Sequence, residues 1–257
     1  MKICLIGAGN LGGAVARGLV RGGVPAECIT LTAAHSKSLE KFEAAGFNTT
    51  LDNAAAVCGA TFVLIAVKPW LIDEIATQIA AELDAETQTL VCLAPGVSAQ
   101  KLEELFPGKI PIVYAIPNTA AEIGKSATII APVRASKAET ATVVKLMEHM
   151  GSAIVLPAEK MLAGTSVTSC GIAYALRYIR AAVEGAVELG IPPATACKAV
   201  CDTVEGAARL LSEKGTHAEE EIDRVTTPGG LTIKGLNAME ESGFSAAVVN
   251  GLKAGIK

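Results

Sequence analysis

Lys2-Ile3-Cys4-Leu5-Ile6-Gly7-Ala8-Gly9-Asn10-Leu11-Gly12 is the stretch on which the reading turns. A short apolar run ends at a glycine, and a helical pattern over residues 11–21 follows at once. This is the layout of a buried strand, a tight turn and a helix. The spacing Gly7-x-Gly9-x-x-Gly12 gives each glycine a physical task. Gly7 permits the turn, Gly9 lets a pyrophosphate approach the backbone, and Gly12 lets helix and strand pack closely. The helix start then offers N–H groups and a partial positive charge to phosphate oxygens. Gly7, Ala8, Gly9, Asn10, Leu11 and Gly12 are therefore candidate dinucleotide contacts.

Working outward, similar apolar runs recur at residues 28–31, 61–67, 89–93, 110–116, 127–131 and 153–156. They are near-continuous rather than alternating, which fits a sheet buried on both faces. Helical patterns lie between them, at residues 36–45, 69–83, 99–106 and 137–150. The first part is thus expected to be an α/β unit with a doubly wound, mostly parallel sheet. After Pro157 strand signals stop. Ala-rich helical stretches follow at residues 171–189, 194–212, 231–241 and 245–256, with Gly190-Ile191-Pro192-Pro193 as a break. The expected division is residues 1–157 and 158–257. Apolar residues lie nearly all round the helix at 172–189, too many sides for a unit of this size to cover, so a partner subunit is expected there.

Composition excludes several classes. Of 257 residues, 51% are hydrophobic and 19% charged, so a packed core forms and disorder is excluded. Aromatics are 4% and the net charge is −4, which argues against a nucleic-acid surface. No window of about 18–20 residues is free of charge, breaks or polar clusters, so no membrane span is expected. The first apolar run ends at Gly7, too short for the core of a secretion signal. The seven cysteines sit mostly in apolar runs with no CxxC pair. They read as reduced thiols in a cytoplasmic protein, with no metal site.

Further candidates follow from the sheet. An NAD-preferring chain carries a carboxylate at the end of the second strand. Here Leu31-Thr32-Ala33-Ala34-His35-Ser36-Lys37 has none, and His35, Ser36 and Lys37 are suited to a 2′-phosphate. NADP(H) is therefore expected, with NAD(H) as the alternative. Ala66, Val67, Lys68 and Pro69 close the fourth strand, and Ala94 and Gly96 end the next, where the cofactor crevice lies. In the helical part, Thr226-Thr227-Pro228-Gly229-Gly230-Leu231-Thr232 forms a loop before a helix, an anion site flanked by hydroxyls.

At these residues the chain resembles the pyrroline-5-carboxylate reductase family. The resemblance runs through Gly7–Gly12, Ala66-Val67-Lys68-Pro69, Ile116-Pro117-Asn118-Thr119 and Val225–Thr232. It implies a Rossmann-type doubly wound sheet followed by an all-helical C-terminal dimerisation domain, assembled as a homodimer or higher oligomer. It also implies NADP(H)-dependent reduction of a cyclic imino acid to L-proline. Asn53 matches a cofactor-contacting asparagine, Thr232 the threonine beside the substrate ring nitrogen, and Thr227, Gly230 and Leu231 the carboxylate site. Thr168-Ser169-Cys170-Gly171-Ile172 departs from the family's S-G-S-G-P, which bears on the shape of the substrate pocket. Two alternatives share the layout. A 3-hydroxyacid dehydrogenase would carry a lysine and an asparagine in the helix after residue 166, and residues 166–189 contain neither. A non-enzymatic NADP-binding regulator would not need the Thr-Pro-Gly-Gly loop.

Overall fold

A computed structural model describes residues 1–256. The chain forms two compact units that part between Ser169 and Cys170. The first holds the strands β1 Ile3–Ile6, β2 Ile29–Thr32, β3 Asn48–Thr50, β4 Phe62–Ile65, β5 Thr89–Cys92, β6 Ile112–Ile116, β7 Ser126–Arg134 and β8 Gly151–Val155. Its helices are α1 Asn10–Arg21, α2 Glu40–Glu43, α3 Asn53–Val57, α4 Ile72–Ile79, α5 Ala99–Leu105, α6 Lys137–Glu148 and α7 Met161–Thr165. The segment from 158 packs with this unit, and Met161 lies in its core beside Ile129 and Ala131.

The eight strands form one sheet in the order β3-β2-β1-β4-β5-β6-β7-β8. All neighbours are parallel except β6 and β7, which are antiparallel. Consecutive residues face opposite sides of the sheet. Ile3 and Leu5 enter one core with Val15 and Leu19 of α1 and Leu146 and Met147 of α6. Cys4 and Ile6 enter the other with Ile75 and Ile79 of α4 and Leu102 of α5. Double burial explains why the strand sequences are apolar throughout instead of alternating. The chain runs from β1 outward to β2 and β3, then returns to β4 on the other side of β1. That reversal opens a crevice at the carboxyl ends of β1 and β4.

Some local expectations shift. The helix expected over 36–45 is a 3-10 turn at Ser36–Ser38 followed by the single turn α2. The one expected over 69–83 is α4 with 3-10 turns on both sides. Strand β3 is polar and half-exposed, so it carries no apolar signal.

The second unit contains α8 Gly171–Glu188, α9 Pro193–Lys214, α10 Ala218–Val225, α11 Leu231–Glu241 and α12 Phe244–Ala254. Among its described residues only Ala196 is buried in the single chain. On α8, Tyr174, Leu176, Tyr178 and Val187 are exposed. A helical unit with so little interior does not hold itself together by its own core.

Candidate active site

The first candidate region is the rim of the crevice. Gly7 takes a φ of 106°, reserved in practice for glycine. A Cβ on Gly12 would stand 2.0 Å from the Gly7 carbonyl oxygen, so only hydrogen fits there. A Cβ on Gly9 would meet nothing within 4 Å. The backbone is bare and open at the position where a pyrophosphate must approach, and closed where helix meets strand. Gly9 is also the N-cap of α1 and supplies no capping side chain, so the first-turn N–H groups face outward without a side-chain acceptor. These features fit a dinucleotide.

Thr32, at the end of β2, holds the loop in place. Its carbonyl accepts from the N–H of Gly7 at 3.1 Å and of Ala8 at 2.9 Å. Its buried hydroxyl donates to Asn53 Oδ1 at 2.5 Å, and Asn53 Nδ2 donates to Gln78 Oε1 at 2.6 Å. Asn53 is thus a strut from β2 through the start of α3 to α4, and its amide keeps one further N–H. Neither Thr32 nor Gln78 stands out in the sequence; a threonine ending an apolar strand is the only sign of the first. His35 and Ser36 are exposed just beyond β2, where His35 starts the 3-10 turn. Ala66 and Val67 lie half-buried after β4, and Lys68 is exposed at the start of the next turn with Pro69.

At the end of β5, Ala94 is buried and Gly96 is exposed with a φ of 81°. The turn is plugged from beneath. Tyr114 on β6 donates its phenolic proton to the Ala94 carbonyl at 2.9 Å, and the Cys92 thiol points to the same oxygen at 3.9 Å. Burial pushes the Cys92 thiol up to about 12. It also raises the Tyr114 phenol to about 12, helped by Cys92. Both groups stay protonated at neutral pH and act as donors, not as acid–base catalysts. A second tether joins Asn118 to a wide helical turn. Its Oδ1 accepts from the Ala120 N–H and its Nδ2 donates to the Thr168 carbonyl at 3.1 Å. Thr168 lies in Ser166–Cys170, which is wound as a π-helix. The departure noted at residues 168–172 therefore falls on a π turn and the start of α8, a distortion often found at working sites.

The second candidate region lies in the helical unit. α10 is capped by Thr226, whose hydroxyl donates back to the Ile222 carbonyl at 2.7 Å. The chain then reverses through Gly229 with a φ of 70°, and the Gly230 N–H donates to the Thr227 carbonyl at 3.0 Å. A Cβ on Gly230 would stand 2.4 Å from Thr227 Oγ1, so glycine lets that hydroxyl lie over the helix start. Gly230 is the N-cap of α11, again without a side-chain cap and without an acidic residue in the first turn. Leu231 is 88% exposed in the single chain. Thr232 is exposed in the first turn. The residue four before it, Pro228, precedes the helix, so the hydroxyl lacks the backbone partner that Thr203 and Thr226 find. It makes no hydrogen bond among the described residues.

Residues 158–257 match the family model for pyrroline-5-carboxylate reductase dimerisation. Residues 2–96 match the one described as NADP oxidoreductase, coenzyme F420-dependent. Pyrroline-5-carboxylate reductase 3 of Macaca fascicularis is 32% identical over 98% of this chain and 93% of its own length. The chain belongs to the pyrroline-5-carboxylate reductase family. Pyrroline-5-carboxylate reductase 1 of Dictyostelium discoideum is 34% identical over 97% of this chain, which spans 48% of that longer protein. The crystal structure of the Plasmodium falciparum pyrroline carboxylate reductase with NADP bound shares the fold. Its TM-score is 0.91 at 21% identity, covering 100% of this chain and 95% of that one. Membership of this family accounts for a helical unit whose own interior is nearly empty.

Proposed function

We propose that this chain reduces 1-pyrroline-5-carboxylate to L-proline with NADPH. The observation that carries the reading is the start of α11, where uncapped amides and the unpartnered Thr232 hydroxyl occur within three residues. Δ1-Pyrroline-5-carboxylate has its carboxylate on a carbon bonded to the ring nitrogen, so one short segment can meet both groups. The amides after Gly230, with the Thr227 hydroxyl and Leu231 alongside, hold the carboxylate. Thr232 Oγ1 hydrogen-bonds the nitrogen, and orients the ring as the C=N bond becomes C–N. NADPH, when bound, would supply the hydride for the imine carbon, and the substrate nitrogen can carry its own proton as the iminium. The protein then needs only to position the reactants and keep their geometry, which matches a site without a catalytic His, Cys or carboxylate pair.

On the cofactor side, Gly7–Gly12 would hold the pyrophosphate, Ala66–Pro69 and Asn53 would contact the dinucleotide, and Ala94 and Gly96 would allow the nicotinamide half to approach closely. His35 and Ser36 take the 2′-phosphate. The NADPH assignment is supported by the absence of a carboxylate after β2 and by the NADP-bound Plasmodium falciparum relative. A homodimer or larger homo-oligomer built through α8–α12 is supported by the single buried residue of that unit. No helix among the described residues is long and apolar enough to cross a membrane. The unpaired cysteines support a cytoplasmic setting.

The test is consumption of NADPH with and without the imine, alongside chromatography of L-proline. Imine-dependent oxidation with equal appearance of proline is expected. Oxidation that ignores the imine, or binding without turnover, overturns the reading.

A further inference from the structure

The chain has one tryptophan. A side chain of that size normally buries most of its surface. Trp70 is instead 75% exposed. Its ring has no aromatic or cationic partner among the described residues. It nevertheless stands on a stiff pedestal. Pro69 fixes the entry to the 3-10 turn Pro69–Leu71, the Leu71 N–H closes it on the Lys68 carbonyl at 2.9 Å, and α4 continues directly from it. A rigidly mounted, unpartnered aromatic ring is arranged to receive a flat ligand.

The position defines which ligand. β4 pairs with β1 in parallel register, so the turn after β4 lies beside the glycine loop on the crevice rim. Phosphates at the start of α1 leave the adenosine half running toward the end of β2, where its ribose hydroxyl is read. The helix that starts at the Trp70 corner is tied to that end through its far turn. The hydrogen-bonded series from Thr32 through Asn53 to Gln78 joins β2, α3 and α4, and α3 packs on α4. A purine leaving the phosphates on the β2 side therefore passes the corner that Trp70 occupies.

We propose that Trp70 is a stacking residue for the adenine ring of the dinucleotide and closes the adenosine side of the crevice. This rests on the reading of the crevice as a nicotinamide-dinucleotide site. Because Trp70 is the sole tryptophan, its emission reports on that place alone. Reduced nicotinamide absorbs where tryptophan emits, so quenching by NADPH signals proximity only. Adenosine 2′,5′-bisphosphate and AMP do not absorb there and quench only by contact.

The experiment titrates the full chain with NADPH, adenosine 2′,5′-bisphosphate, AMP and nicotinamide mononucleotide, following tryptophan emission and binding heat in parallel. The adenosine nucleotides should quench Trp70, and nicotinamide mononucleotide should not. Trp70→Ala should weaken NADPH binding by about five- to hundred-fold, the range for loss of one base–aromatic stack. Trp70→Phe should recover most of that binding, and both variants should keep the wild-type melting temperature and KM for the imine. Binding heat from adenosine nucleotides without a change in emission overturns the stacking assignment alone. So does an unchanged NADPH Kd in Trp70→Ala. Absence of binding heat with both NADPH and NADH in the wild-type chain sinks the dinucleotide reading, and this inference with it.

Discussion

Tyr114 on β6 reaches across the sheet edge to donate its phenolic proton to the Ala94 carbonyl, 2.9 Å away, at the end of β5. The bond crosses between neighbouring strands and fixes the turn proposed to face the nicotinamide. Ala94 is buried, so its carbonyl has little access to water as a substitute donor. Tyr114→Phe should therefore destabilise the first unit by about 1–3 kcal/mol. It should also raise the KM for NADPH more than that for the imine. A melting curve beside steady-state kinetics checks this; an unchanged melting temperature would show that the bond is dispensable.

Alkaline stability follows from the buried thiols. Burial moves Cys4 from 9.0 to about 12. It does the same to Cys92, and Tyr114 rises from 10.0 to about 12. Each folded-state value exceeds the unfolded one, so the fold prefers the protonated groups. Their contribution is intact below about pH 9 and is lost as pH climbs from there through about 12. Urea unfolding followed from about pH 8 to about pH 11 should show falling stability. Replacing Cys92 with Ala should make that fall shallower, by up to about 1.4 kcal/mol per pH unit where the group titrates. A slope identical in the variant would contradict the assignment.

The glycine loop offers a paired test. Gly9 has a φ of −79° and ψ of −163°, open to alanine, and free space where a Cβ would go. Gly9→Ala should keep the melting temperature while NADPH binding weakens about ten-fold or more, a tenfold loss being about 1.4 kcal/mol. Gly12→Ala drives a Cβ into the Gly7 carbonyl and should cost about 1–3 kcal/mol or more of stability as well. If Gly9→Ala binds NADPH normally, the loop is not the phosphate site.

The Thr232 hydroxyl makes no hydrogen bond among the described residues, so removing it should leave stability unchanged. Thr232→Ala should lower turnover about ten- to several-hundred-fold, with NADPH affinity near wild type, because the hydroxyl that orients the reacting nitrogen through the transition state is lost. Thr232→Ser should keep most of the rate. A fall in melting temperature with unaltered turnover would reassign Thr232 to a structural role.

The near-empty interior of the helical unit makes assembly a condition of stability. Sedimentation across a dilution series should find no folded monomer, and helical circular dichroism should fall at the concentration where the oligomer separates. A monomer retaining full helicity would refute this.

Residues 2–12 determined the opening strand, turn and helix start by themselves. A continuous apolar strand, three spaced glycines and a helix start are local requirements, and GxGxxG states them in adjacent positions. The Thr-Pro-Gly-Gly loop was legible for the same reason, since a reversal before an uncapped helix is written in neighbouring residues. Strand β3 and helix α10 carry little apolar signal in the sequence, the first because Asn48-Thr49-Thr50 is half-exposed and polar, the second because its face is largely acidic. The supports of the site were beyond the sequence altogether. Tyr114 and Ala94 are 20 positions apart, and Asn53 and Gln78 are 25 apart. Asn118 and Thr168 are 50 apart. No local pattern encodes such pairs, because the strand order that joins them comes from packing both faces of one sheet. The sequence determined which groups are offered to a dinucleotide and a small acid; only the tertiary structure decided which distant side chains keep those groups in place.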